Sequence, residues 1–119
     1  MSEEEIVDNI LSDDYLKIDR KLIRGFKSIP LAAYTSELFF RYKGVKRNGN
    51  LKDGFFYCTR KTIEDHLHIS DSTQKKYQDI LVEKKLIEVK LEGTSPFSSK
   101  IYYKINFPNL LQFMLDNKK

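Results

Sequence analysis

The chain has a single cysteine among 119 residues, and no tryptophan. Cys58 cannot close an internal disulfide, so the chain is no disulfide scaffold, and one thiol suits a reducing, cytoplasmic setting. No apolar run approaches the ~20 residues that a membrane-spanning helix needs. The acidic start lacks the basic beginning, apolar middle and cleavage site of a signal peptide. There is no glycine-rich phosphate loop and no Gly-x-Ser-x-Gly turn. His66 and His68 stand two apart, on different faces of a helix end, with the one cysteine elsewhere, which is not a metal set. The adjacent acids Asp13-Asp14 and Glu64-Asp65 do not converge on one site. No cofactor is implied, and the expectation is a binding protein rather than an enzyme. Internal repeats and low-complexity segments are absent too.

What is present fits a folded domain. The apolar fraction is 40%, with eight Phe and seven Tyr, and one domain is the default at this length. The net charge of +4 conceals an asymmetry. Residues 1–14 hold six acids (Glu3, Glu4, Glu5, Asp8, Asp13, Asp14) and no base. All 21 basic residues therefore stand in 15–119 against the remaining 11 of 17 acids, so this body carries +10. Such an excess favours a polyanionic partner. A merely solubilising lysine surface is the plainer alternative.

The periodicities give an order of elements. In the acidic tail, residues 1–14, Ile6, Val7, Ile10 and Leu11 have helical spacing, consistent with a frayed helix or a flexible arm. Tyr15–Ile23 alternates imperfectly and reads as extended or a short strand, broken at Arg24-Gly25-Phe26. Ser28 and Pro30 open a helix that runs to about Lys43, with Leu31, Tyr34, Leu38, Phe39 and Tyr42 on one stripe. Gly44–Gly54 reads as an exposed basic loop. Phe55–Cys58 is strand-like. Thr59 caps a short helix carrying Ile63 and Leu67, His68-Ile69 turns the chain, and Ser70 caps a longer helix over Asp71–Lys85. Two strands then alternate cleanly. Ile87, Val89 and Leu91 share a face of the first. Ile101, Tyr103, Ile105 and Phe107 share one face of the second, while Lys100, Tyr102 and Lys104 point the other way. Pro108 starts a last helix, Asn109 to about Asn117.

This order describes a winged helix-turn-helix: an α+β fold, mainly helical, with a small antiparallel sheet forming the wing. A short helix, a tight turn and a second helix beside a hairpin form a reader of double-stranded DNA far more often than an enzyme. With Tyr77, Ile80, Leu81 and Thr73 inward, the helix after Ser70 offers Ser72, Gln74, Lys75 and Gln78 as base-edge readers. Gln can bridge adenine N6 and N7, and Lys can reach guanine O6 and N7. Lys76 suits a phosphate. A solvated face on an ordinary helix is the alternative. On the wing, Lys90, Ser98, Ser99 and Lys100 can meet the sugar-phosphate backbone, although a plain hairpin tip has the same composition. Lys46 and Arg47, with Arg41, Lys43 and Lys52, could grip flanking phosphates or enter a minor groove; a solvated loop is the equal alternative. The last helix has more apolar positions than one buried stripe requires, so it packs across the domain or pairs two chains as a homodimer.

Residues 15–106 also resemble the N-terminal winged-helix domain of replication initiators from plasmids and phages of low-GC Gram-positive bacteria, and related phage replisome-organiser domains. The resembling stretches are Tyr15-Leu16-Lys17-Ile18-Asp19-Arg20-Lys21-Leu22, Phe55–Tyr57, Thr59-Arg60-Lys61-Thr62-Ile63 and Leu67-His68-Ile69-Ser70. Beyond these come Ser72-Thr73, Leu81, Lys85-Leu86-Ile87-Glu88 and Tyr102-Tyr103-Lys104-Ile105. The resemblance implies that Ser72–Gln78 reads DNA and that Gly93–Lys100 is the wing. It also implies a role in replication initiation or its transcriptional control in a mobile element. The chain departs from the pattern where His68 and Lys85 replace glycine, and where Gln74 and Gln78 replace residues that are often apolar. It lacks the further domain such initiators carry, which suits a stand-alone regulator or a fragment of a longer protein. A winged helix that grips a replication or transcription protein is the rival expectation.

Overall fold

In the computed structural model, residues 2–11, 14–93 and 100–118 are described. Helix α1 (Glu3–Leu11) leads through an extended stretch to α2 (Arg20–Phe26) and α3 (Ile29–Arg47). Strand β1 (Phe56–Tyr57), α4 (Arg60–Leu67) and α5 (Asp71–Glu83) follow, then β2 (Ile87–Glu92), β3 (Lys100–Ile105) and α6 (Phe107–Asp116). The strands form one antiparallel sheet in the order β1-β3-β2. This is the winged-helix arrangement, mainly helical with a small sheet.

Polar side chains set the helix starts. Each helix leaves its first N–H groups without intrahelical partners, and a short side-chain oxygen just ahead can accept from one of them. Ser28 accepts from the Leu31 N–H, Thr59 from Thr62, Ser70 from Thr73 and Asn106 from Asn109. Helix α4 ends where His68 enters the left-handed region (φ 55°) and donates its N–H to the Glu64 carbonyl. Lys85 takes the same conformation (φ 60°) after α5. These are the two positions where the resembling family carries glycine.

The core lies between α3, α4, α5 and the inner face of the sheet. Tyr34, Leu38, Phe56, Ile63, Leu81 and Tyr103 are fully enclosed there. The period of two in β2 and β3 sends Ile87, Tyr103 and Ile105 inward. Helix α6 closes the structure from α2 and α3, with Phe113 against Phe26 (ring centroids 4.7 Å) and Phe107 against Tyr42 (5.0 Å).

Four expectations need correction. Tyr15–Ile23 is not a strand: after Asp19, whose carboxylate accepts from the Lys21 N–H at 2.8 Å, the chain is helical and buries Leu22. Gly25 does not break this segment. It lies within α2 because a Cβ there would stand 2.5 Å from the Phe113 ring, so the glycine admits α6. Helix α3 runs on through Gly44 to Arg47, which puts Lys46 and Arg47 in its last turn rather than on a loop. Finally, Gln74 and Gln78 are not outward readers. They are 0% and 7% exposed, because a helix anchored at Leu81 turns positions 78, 77 and 74 to the same side.

The buried glutamine is an organised polar tie. Gln74 Nε2 donates to the carbonyls of Arg60 and Ile69, both at 2.9 Å, and so joins α5 to the start of α4 and to the turn. Gln74→Ala would remove both bonds and leave a gap. The expected loss of stability is about 1–3 kcal/mol, read from urea unfolding, whereas exposed Lys76→Ala should change stability by less than about 0.5 kcal/mol.

The core also predicts alkaline sensitivity. Burial pushes the Cys58 thiol up to about 11, and burial raises the phenols of Tyr34 and Tyr103 above their ordinary range. In the folded state these groups keep protons that the unfolded chain releases, starting from about 9 for the thiol and 10 for the phenols. Their contribution is whole below those values and is lost as pH rises through them. Urea midpoints should therefore hold steady up to about pH 8.5 and fall steadily above pH 9.

Candidate nucleic-acid interface

The short α4 and the left-handed turn at His68 set α5 across the front of the domain. Two ties hold it there beside Gln74. One guanidinium nitrogen of Arg60 donates to Gln78 Oε1 at 2.8 Å, and the other reaches Asp71 Oδ2 at 3.3 Å. Arg60 thus occupies the one carboxylate at the start of α5. The side of α5 away from the core carries Asp71, Ser72, Lys75, Lys76, Asp79 and Glu83, all exposed.

These positions differ in how free they are. Lys75 pairs with Asp79 one turn later (2.9 Å), but both side chains are more than half exposed, so the pair is cheap to break. Ser72 Oγ lies 3.3 Å from the capping Ser70 Oγ. Lys76 makes no ion pair among the described residues. The helix as a whole is not basic: Lys75 and Lys76 face Asp71, Asp79 and Glu83. Any attraction to phosphate would therefore have to come from outside it.

Exposed cations outside α5 lie in two places. One is the C-terminal half of α3, where Lys43, Lys46 and Arg47 are exposed. The ammonium groups of Lys43 and Lys46 lie over the rings of Phe39 and Tyr42, at 5.1 and 5.9 Å from their centroids. Arg41 is committed inward instead. Its Nε donates to the buried Glu37 carboxylate at 2.8 Å, and its terminal nitrogen contacts His66. The other is the sheet. Lys90 and Lys100 from the wing are exposed, with Lys90 also bonded to Glu92 (3.1 Å). The wing residues Ser98 and Ser99 lie outside the described residues.

Sequence reasoning missed Arg60 altogether. The resemblance already hinted at its partners, since Gln74 and Gln78 stand where apolar residues are common. Sequence reasoning noted that Lys100, Tyr102 and Lys104 share the outer face of the sheet but did not see that Tyr57 joins them there.

Among the described residues, no group of His, Cys, Asp and Glu is placed to hold a metal ion, and no helix is long and apolar enough to cross a membrane. Helix α6 leaves Leu111 and Leu115 59% and 50% exposed. With α2 and α3 it borders an apolar groove of about 810 Å³, lined by Leu16, Leu22, Phe39, Phe107, Leu110 and Met114.

No family model matches the chain, and no curated protein matches it. A solved structure described as "N-Terminal domain of DNA binding protein" is similar with a TM-score of 0.56 at 14% identity, over 94% of this chain and 89% of that one. At this identity the likeness is one of fold, and it extends along almost the whole of both chains.

Proposed function

We propose that this protein binds double-stranded DNA with sequence preference, with α5 in the major groove and the wing and the end of α3 on flanking phosphates. The observation that carries the reading is the anchoring of α5. One side is fixed by Leu81, Gln74 and Gln78, while Ser72, Lys75 and Lys76 stand on the open side. Ser72 and Lys75 are the base-edge readers and Lys76 a phosphate contact. Lys46, Arg47, Lys90 and Lys100 supply further phosphate contacts. The fold shared with a structure described as a domain of a DNA binding protein supports this reading. The resemblance to plasmid and phage replication initiators favours replication initiation or its control in a mobile element, and a cytoplasmic setting. The protein acts by binding, without catalysis or a cofactor. The apolar side of α6 around Leu111 and Leu115 favours pairing of two chains, which would suit two half-sites.

One observation favours a second reading. The carboxylates of α5 outnumber its lysines, as would suit a winged helix that grips a basic replication or transcription protein. Selection of duplexes from a random pool, followed by footprinting, separates the two. Salt-sensitive, sequence-selected retention supports DNA, and no retention at low salt supports a protein partner.

With about five phosphates neutralised per chain, log affinity should fall with log salt at a slope of about −4 to −5. Lys76→Ala should weaken binding to all sequences alike and reduce that slope by about one. Lys75→Ala should relax preference at one base position at a cost of about 1–3 kcal/mol. Titrations of selected and scrambled duplexes at several salt concentrations measure all three.

A further inference from the structure

An antiparallel sheet with one buried side ordinarily turns a polar side to water. Here the outer side carries three aromatic rings. Tyr57 of β1 stands opposite Tyr102 of β3, which stands opposite Lys90 of β2. The two tyrosine rings lie 5.5 Å apart, tilted by 43°, and Tyr57 remains 43% exposed. Phe55 lies just ahead of β1. Lysines surround all three rings. Lys100 lies 5.5 Å from the Tyr57 centroid and Lys52 lies 5.7 Å from that of Tyr102. Lys90 and Lys104 lie 5.8 and 5.6 Å from that of Phe55. Cross-strand aromatic pairing contributes to the sheet. It does not require four cations at the ring faces.

We infer that this outer face is a binding platform for single-stranded DNA, with Tyr57 as its stacking residue and Lys52, Lys100 and Lys104 as its phosphate contacts. Rings for base faces combined with cations for the backbone are the means by which single strands are held without sequence preference. A duplex offers base edges and phosphates but not base faces, so the exposed ring of Tyr57 selects an unpaired strand, with the buried Tyr102 ring (9% exposed) backing it. The acids of the face, Glu88 and Glu92, both lie on β2, which steers the strand toward β1 and β3. Past Tyr57 the surface continues into a recess of about 420 Å³ lined by Arg47, Asn48, Thr59 and Thr62. Polar groups and a further cation thus lie within reach of the next nucleotide. The stacking rings lie on the opposite side of the sheet from Tyr103 and the core against which α5 packs, so they are separate from α5, while Lys100 and Arg47 border both surfaces. The choice of DNA over other single strands rests on the duplex-binding reading.

The test is fluorescence anisotropy of a labelled oligo-dT of about 15 nucleotides at low salt, beside a selected duplex. The intact chain should bind both. Tyr57→Ala should weaken oligo-dT binding about tenfold or more and leave duplex affinity within about twofold, whereas Lys76→Ala should do the reverse. Tyr57→Trp guards against misfolding of the alanine variant. It should keep binding oligo-dT, and its indole, the chain's only one, should be quenched by the bound strand. The inference is overturned if the intact chain ignores oligo-dT, if Tyr57→Ala binds it unchanged, if the indole is not quenched, or if poly-glutamate of equal charge displaces it equally well. An intact chain that binds the duplex but not oligo-dT would sink the platform and spare the reading of α5, and an intact chain that binds oligo-dT but no duplex would sink only the latter.

Discussion

The angle between α4 and α5 depends on a polar clamp rather than on hydrophobic contact alone. Gln74 bonds the carbonyls of Arg60 and Ile69, and Arg60 reaches across from α4 to Gln78 and Asp71. An apolar pair would tolerate sliding, since burial is non-directional. A buried amide does not, because moving it by an ångström or so leaves donors and acceptors unmatched at a cost comparable to that of a core cavity. The clamp therefore fixes which residues of α5 face out, and the interface inherits its geometry from it. The same arrangement encloses several polar atoms. Tyr34 Oη, Tyr103 Oη, Arg60 Nε and Gln74 Oε1 are buried without a hydrogen-bond partner among the described residues. The polar interior beneath α5 is thus high in stakes, with orientation gained at the expense of some stability.

Charge is organised by the same separation of tasks. Helix α5 holds position but little attraction, while the cations sit on α3 and the sheet. Their ammonium groups are not loose: those of Lys43, Lys46, Lys52, Lys100 and Lys104 lie over aromatic rings. Each such contact is worth about 0.5–1 kcal/mol at an exposed site, enough to bias a flexible side chain toward one place. Cations held in advance have less conformational freedom to lose on meeting a phosphate.

Much of this fold was legible in the residues. The caps at Ser28, Thr59 and Ser70 act at the positions their sequence context suggested. The glycines of the resembling family, missing at His68 and Lys85, marked two left-handed residues that the backbone confirms. The alternation in β2 and β3 gave the faces of the sheet up to Ile105, although Phe107 opens α6 instead of continuing β3 and Leu91 is 68% exposed. What was not legible has a common cause: residue type was read as residue environment. Gln74 and Gln78 are polar, so they were placed outside, although the spacing back from Leu81 put them within. Gly25 looked like a break, although the requirement came from Phe113, far along the chain. Arg41 looked like one cation among several, and only the fold reveals Glu37 buried beside it. A distant partner decided only Gly25; the glutamines followed from spacing, and Arg41 from its i,i+4 neighbour Glu37, whose burial the fold supplies.

The acids of α5 fit this separation of tasks. If lysines remote from α5 supply most of the attraction to phosphate, the protein meets any duplex by the same salt-sensitive force. Asp71, Asp79 and Glu83 then oppose close approach of α5 to a groove. Asp71 opposes it least, because Arg60 holds its carboxylate (3.3 Å). The remaining repulsion is overcome only where base edges satisfy Ser72 and Lys75, and Lys75 must first leave Asp79. A sequence that fails to match them leaves the repulsion unrelieved. Selectivity would then arise as much from penalising the wrong duplex as from rewarding the right one, a task that the excess of carboxylates on α5 would serve.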